Sequence, residues 1–151
     1  MPALLCLAAG PASGRDTIGV WQRWGAFRDA APPRCYAIAR SVTRPRGQAS
    51  VATWPGRGLR NSLHLRLSRP RDRTAPLTLS ISERRFQLVG TARDAWAADA
   101  PSDRAIVAAM RGARAMSVEA VSANGRPFAD AYSLAGAATA IDAAALSCLT
   151  R

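Results

Sequence analysis

Ser62–Ser68 reads Ser-Leu-His-Leu-Arg-Leu-Ser, so Leu63, Leu65 and Leu67 alternate with His64 and Arg66. A period of two puts the leucines on one face of a strand and the polar side chains on the other, which predicts a half-buried strand. The alternation returns in Leu77–Ser82 and Arg85–Gly90, two strands that Glu83-Arg84 joins as a hairpin. Cys35–Ser41 and Ala49–Trp54 carry the β-branched and aromatic content of strands. The second of them is stopped by Pro55-Gly56-Arg57-Gly58, a turn signal. Ala115–Ser122 and Phe128–Leu134 flank Asn124-Gly125, a hairpin signal. A strict two-residue loop there sets Glu119 opposite Asp130, which is unfavourable. Counting Arg126 into the loop pairs Val118 with Tyr132 instead, and this is the expected register.

The period changes twice. Ser102–Gly112 begins with Ser102 as N-cap and Asp103 in the first turn, and it ends at Gly112 just past Arg111, all helix chemistry. Ala135–Leu149 is alanine-rich with helical spacing and carries Cys148 on its last turn. Arg69–Pro76 reads as an exposed basic loop and Ala92–Ala100 as an irregular stretch anchored by Trp96. Trp21 and Trp24 are expected to plug one end or face of the fold, which matters because alanine supplies much of the hydrophobic content. A buried aromatic removes ~150–250 Å² from water. The fold class that emerges is mainly β: a β-sandwich or open barrel of short antiparallel strands with one short internal helix and a C-terminal helix. At 151 residues the chain is of single-domain size.

The start of the chain changes the compartment. Ala3–Ala9 is a short apolar run, and the small residues Gly10–Gly14 follow it. That is the hydrophobic region and cleavage zone of a secretory leader, so residues 1–14 are expected to be a truncated signal peptide and residues 15–151 the mature domain. No other stretch approaches the ~18 apolar residues of a membrane span. Cys6 falls in the leader, which leaves Cys35 and Cys148. An even pair in an exported chain reads as a disulfide; two buried free thiols are the alternative. The expected localisation is periplasmic or secreted.

The net charge is +11, and all 21 basic residues are arginine. Between Arg34 and Arg73 ten arginines stand against one acid, Asp72, whereas Asp94–Arg151 is nearly neutral. Arg57, Arg60, Arg66, Arg69, Arg71 and Arg73 come from a turn, a strand and the loop after it. They are the candidate contacts to an anionic envelope or lipid surface, since arginine grips phosphate bidentately. A solvated face written by a GC-rich genome is the plain alternative.

Catalytic chemistry has little to stand on. A Ser–His–Asp or Cys–His enzyme would have to use His64, the chain's one histidine. No G-x-S-x-G elbow, P-loop or dinucleotide fingerprint occurs. One histidine and two distant cysteines do not make a tetrahedral metal site. No enzyme activity, cofactor or metal is therefore expected.

Seven stretches in order add a family signal: Trp24–Asp29, Arg34–Ala39, Trp54–Gly58, Arg84–Leu88, Asp94–Asp99, Ser102–Ala113 and Tyr132–Cys148. Together the series resembles the invasion-associated locus B family of Gram-negative bacteria. The resemblance implies a small exported protein with a mostly β domain and a cysteine at each of the two places found here. It supplies no catalytic residues. The function expected is that of a non-catalytic exported binding or accessory protein, acting at the envelope or in host-cell contact with an unknown protein or an anionic surface. The alternatives are a basic nucleic-acid-binding protein, resting on charge alone, and a hydrolase using His64.

Overall fold

Hairpins build most of this molecule, seen in a computed structural model that describes residues 14–149. The strands are β1 (Arg15–Trp21), β2 (Trp24–Ala30), β3 (Pro33–Arg40), β4 (Gln48–Trp54), β5 (Leu59–Arg66), β6 (Thr78–Ile81), β7 (Arg84–Gly90), β8 (Asp94–Ala97), β9 (Ala115–Val121) and β10 (Pro127–Ser133). The helices are α1 (Ala100–Gly112) and α2 (Ala137–Leu149). The strands form one antiparallel sheet in the order β1-β2-β3-β4-β5-β8-β7-β6-β9-β10.

The sheet curls over, as an open barrel does. Trp24 on β2 is fully buried, and its indole Nε1 donates to Ser133 O at the end of β10, 2.8 Å away. Val42 N donates to Ala131 O of β10. Asp130 on β10 accepts Ser68 N at 2.8 Å and the Ser68 hydroxyl, which satisfies a buried carboxylate just past the end of β5. The inward leucines of β5 thereby join Leu79 and Ile81 of β6, Met116 and Val118 of β9 and Tyr132 of β10 in one core.

The two helices cover the inner side. α1 contributes Ile106, Val107 and Met110, while α2 contributes Ala137, Ala140, Ile141 and Ala144. Alanines let α2 lie close to the sheet. At its start Gly136 has φ +86°, and a Cβ there would stand 2.0 Å from Trp21 O, so only glycine fits. At its other end Cys148 is disulfide-bonded to Cys35 on β3, with Cα atoms 5.8 Å apart.

Several expectations require correction. Trp24 is buried in the core and Trp21 packs against it, as expected, but the pair does so as the facing residues that end the β1–β2 hairpin, which the sequence did not reveal. That hairpin turns through Gln22-Arg23 with no glycine or proline, and its alternation is interrupted between Thr17 and Gly19, so both sequence signals are missing. Ala92–Ala100 contains β8 and the start of α1. Trp96 is 38% exposed and lies on the outer face rather than in the core, because neighbouring Ala95 is the inward residue. The β6–β7 turn is Ser82-Glu83, since Ile81 pairs with Arg84. The N-cap of α1 is Asp99, whose carboxylate accepts Ser102 N at 2.8 Å. In the last hairpin Val118 pairs with Asp130 and Met116 with Tyr132. This register turns Asp130 inward to Ser68 and Glu119 outward to Ser80, so the two acids never face each other.

Candidate functional site

Two regions hold the chemistry: the sheet's outer face, and a cleft between the helices. The outer face follows from strand alternation. On β3, Cys35, Ala37 and Ala39 are buried toward the core, so Arg34 and Tyr36 take the opposite face. Register then places Phe27 of β2 beside Tyr36, and the rings lie 5.8 Å apart. Arg34 lies 4.1 Å from the Tyr36 ring centroid and 5.0 Å from that of Trp54; Arg57, in the helical turn Pro55–Arg57 between β4 and β5, stacks on Trp54 at 4.7 Å. Asp29 takes Arg34 at 2.7 Å and Arg15 at 3.0 Å. Burial raises the Asp29 carboxyl pKa, but the bonds from both guanidiniums outweigh it and hold the group below the usual carboxylate range.

A second cluster lies further along this face. His64 Nε2 is 2.9 Å from Asp94, and Arg66 reaches the other oxygen of that carboxylate at 2.8 Å. The Trp96 ring lies 5.6 Å from that of His64. Here too burial pushes the carboxyl up and the two basic partners more than reverse it. His64 thus has an orienting acid. The nucleophile of a hydrolase has no hydrogen bond to it among the described residues.

The cleft is about 830 Å³ and lies between α1, α2 and the first half of β5. Its walls come from helical spacing. Arg104, Val107, Ala108 and Arg111 follow one another at i, i+3, i+4 and i+7 on α1. Asp142, Ala145, Leu146 and Leu149 repeat the same spacing on α2. Arg111 and Asp142 form a bidentate pair across the gap, at 2.5 and 3.0 Å. Leu59 and Arg60 enter from β5, and Leu59, Leu146 and Leu149 are exposed. Asp103 also lines the cleft; its Oδ1 accepts Leu63 N at 2.8 Å. Burial raises its pKa, countered only in part by hydrogen bonds from Leu63 and Ser62.

The six arginines singled out from the sequence do not make one surface. Arg57 and Arg60 stand at the start of β5, whereas Arg66, Arg69 and Arg73 stand at or beyond its end, roughly 20 Å away at ~3.3 Å per residue. Arg66 is paired to Asp94, and Arg69 lies 6.0 Å from the Phe128 ring. Arg71 is not a surface contact. It is buried, its Nε donates to Thr91 O at 2.8 Å and one terminal nitrogen donates to Gly90 O at 3.1 Å. Its other terminal nitrogen reaches Asp72 O and Ala75 O. A loop that must bury its carbonyls needs such a donor, and charge counting cannot reveal this. Arg104 and Leu146 were missed, although the repeated i, i+3, i+4, i+7 spacing was a readable signal.

Among the described residues, no three of the metal-binding types come together, and no helix is long and apolar enough to cross a membrane. The leader expected over residues 1–14 lies outside the described residues except for Gly14. The family description "Invasion associated locus B (IalB) protein" matches residues 41–145, well over half of the chain. No curated protein and no solved structure matches it.

Proposed function

Because the chain belongs to the invasion associated locus B family, we propose that it works outside the cytoplasm, in the periplasm or secreted, as a non-catalytic binding or accessory protein at the envelope or in host-cell contact. The disulfide between Cys35 and Cys148 carries this reading. Such bridges persist in oxidising compartments and are rare in reducing ones. It ties the end of α2 to β3, an interior strand of the sheet, so the folded state of the domain is built around an oxidised pair.

The binding half of the proposal rests on the exposed arginines. Arg57 and Arg60 at one end of β5, and Arg69 and Arg73 beyond the other, offer two separate positive edges to an anionic envelope surface. Attraction through water reaches only ~8 Å at physiological ionic strength, so contact must be close.

Fractionation of cells expressing the protein from its native locus, with thiol labelling of the denatured, unreduced product, tests the location. A periplasmic or secreted product without reactive thiols, starting between Ala12 and Arg15, is expected. A cytoplasmic product with free thiols overturns it. Co-sedimentation with neutral and anionic liposomes at low and high salt tests the surface. Preference for anionic vesicles that fades with salt is expected, and equal partitioning overturns that half.

A further inference from the structure

We propose that the cleft between α1, α2 and the start of β5 is a binding site for a single-chain anionic amphiphile, a long-chain carboxylate, with its alkyl chain between the helices and its head at Arg60 and Arg104. The inference deepens the reading of this chain as a binding protein and rests on it, but it concerns a site of its own.

Three observations carry it. The first is size: about 830 Å³ falls within the ~300–1,000 Å³ of small-molecule sites. The second is the apolar lining. Val107, Ala108, Ala145, Leu146 and Leu149 all face the gap from two helices, and Leu146 is 60% exposed without a ligand. An alanine-rich helix on a sheet buries its alanines inward; the leucines on its open stripe stay more than half exposed among the described residues and are suited to an alkyl chain.

The third is the distribution of charge. Arg111 is neutralised by Asp142, and this pair closes the gap between α1 and the first turns of α2. Asp103 is occupied by the Leu63 amide. Arg104 lies two turns back along α1, about 10 Å from Arg111 at ~1.5 Å per residue. Neither Arg104 nor Arg60 has an ion pair among the described residues. The cleft therefore has an apolar floor, a closed end where Arg111 and Asp142 cancel, and two guanidiniums outside any ion pair among the described residues, with Asp99 near enough to Arg104 to feel its charge. That asymmetry fits a ligand with one anionic end and one apolar end. A free anion would leave the leucines unused, and a neutral alkyl chain would leave the guanidiniums unused. The Cys35–Cys148 bridge holds the last turn of α2, and with it Leu149, in place before any ligand arrives, so little ordering is required on binding.

Calorimetric titration of the full, oxidised chain with dodecanoate below its micelle concentration tests the site, with 1-dodecanol and acetate as comparators. One saturable site for dodecanoate is expected, with dodecanol at least about tenfold weaker and acetate not binding in the same range. Arg60→Gln and Arg104→Gln should each weaken dodecanoate by about tenfold, as expected for loss of a charge-assisted hydrogen bond. Leu146→Gln should abolish saturation. All three side chains are exposed, so an unchanged melting temperature shows the fold intact. Equal binding of dodecanol and dodecanoate, indifference to the arginine variants, or non-saturable uptake would each overturn the proposal. The titration uses purified protein and does not depend on where the cell puts it, so export and this site fail separately.

Discussion

The outer face of the sheet and the interhelical cleft are both lined with arginines and acids, yet apart from the Arg111–Asp142 pair the cleft holds its charges differently. On the face, Asp29 sits between Arg15 and Arg34, and Asp94 between His64 and Arg66; both carboxyl groups are held below their ordinary range. In the cleft, Asp103 is pushed up by burial, and Arg60 and Arg104 have no ion pair among the described residues. The face is rich in positive charge that its own aromatics and acids already engage. In the cleft, Arg111 and Asp142 engage each other, but Arg60 and Arg104 stand outside any ion pair among the described residues. A count of arginines therefore does not distinguish the two regions. What matters is how many are left after the fold has used its share.

The largest test acts on the covalent link between the regions. Cys35 lies on β3 between Arg34 and Tyr36 of the face, and Cys148 lies beside Leu149 of the cleft. Replacing both cysteines by serine opens a loop of 113 residues. Chain entropy predicts a loss on the order of 4–5 kcal/mol, read by urea unfolding. A loss below ~1 kcal/mol would mean that packing alone seats α2 and that the cleft does not depend on the bridge.

Next comes Arg71→Ala beside Arg60→Ala. The first removes a buried guanidinium and strands the Thr91 and Gly90 carbonyls, each unsatisfied group costing ~1–3 kcal/mol. A fall of about 2–4 kcal/mol is expected. The second removes an exposed side chain without an ion pair and should change stability by no more than ~0.5 kcal/mol. Equal effects would erase the distinction between engaged and available arginines.

These contrasts show where the sequence was readable. Leu63, Leu65 and Leu67 declared β5 because one face is buried along its length. α2 was visible in its alanine spacing, and the disulfide in the pairing of the two cysteines left once Cys6 was assigned to an expected leader. The β1–β2 hairpin was not legible, because a turn of Gln22-Arg23 has no special residue and the irregularity between Thr17 and Gly19 breaks the period. β8, Asp94–Ala97, puts its large apolar residue Trp96 outward and alanine inward, so its alternation does not read as a buried face. The register of β9 and β10 was misjudged because Asp130 was treated as a surface acid, and its inward partner Ser68 lies 62 residues away. Long-range partners of polar groups are invisible to local periodicity, and both candidate regions depend on them.

A smaller effect is expected from Asp94→Asn, about 1 kcal/mol at neutral pH, as for a partly exposed ion pair. The pH dependence is the sharper reading. A carboxylate with a lowered folded pKa stabilises above its unfolded value of ~3.9 and loses that contribution as pH falls through the folded value. Asp103, with a raised folded pKa, works the other way: folding favours its protonated form, so it costs stability as pH rises through its unfolded and then its folded value. Wild-type stability should therefore fall steeply below about pH 4, with a shallower fall in Asp94→Asn, and Asp103→Asn should flatten the curve on its upper side. Identical acid limbs in wild type and Asp94→Asn would show that the cluster on the face is electrostatically idle.

The smallest effect belongs to the pair that closes the cleft. Arg111 and Asp142 meet bidentately, but both side chains are about half exposed, at 42% and 52%. Mutual hydrogen bonding raises the Arg111 pKa and lowers that of Asp142, while water and salt screen the attraction. A double-mutant cycle of Arg111→Ala and Asp142→Ala should give a coupling of only ~0.2–1 kcal/mol, shrinking at high salt. The ligand readout separates two roles for the same pair. If it merely neutralises that end of the cleft, the double variant keeps its affinity for dodecanoate, because Arg60 and Arg104 are untouched. Tighter binding in Asp142→Ala alone is expected, since Arg111 is then left without its acid beside the ligand. Weaker binding in that single variant would mean that the pair braces the helices, and that the shape of the cleft, more than its free charge, distinguishes it from the sheet's outer face.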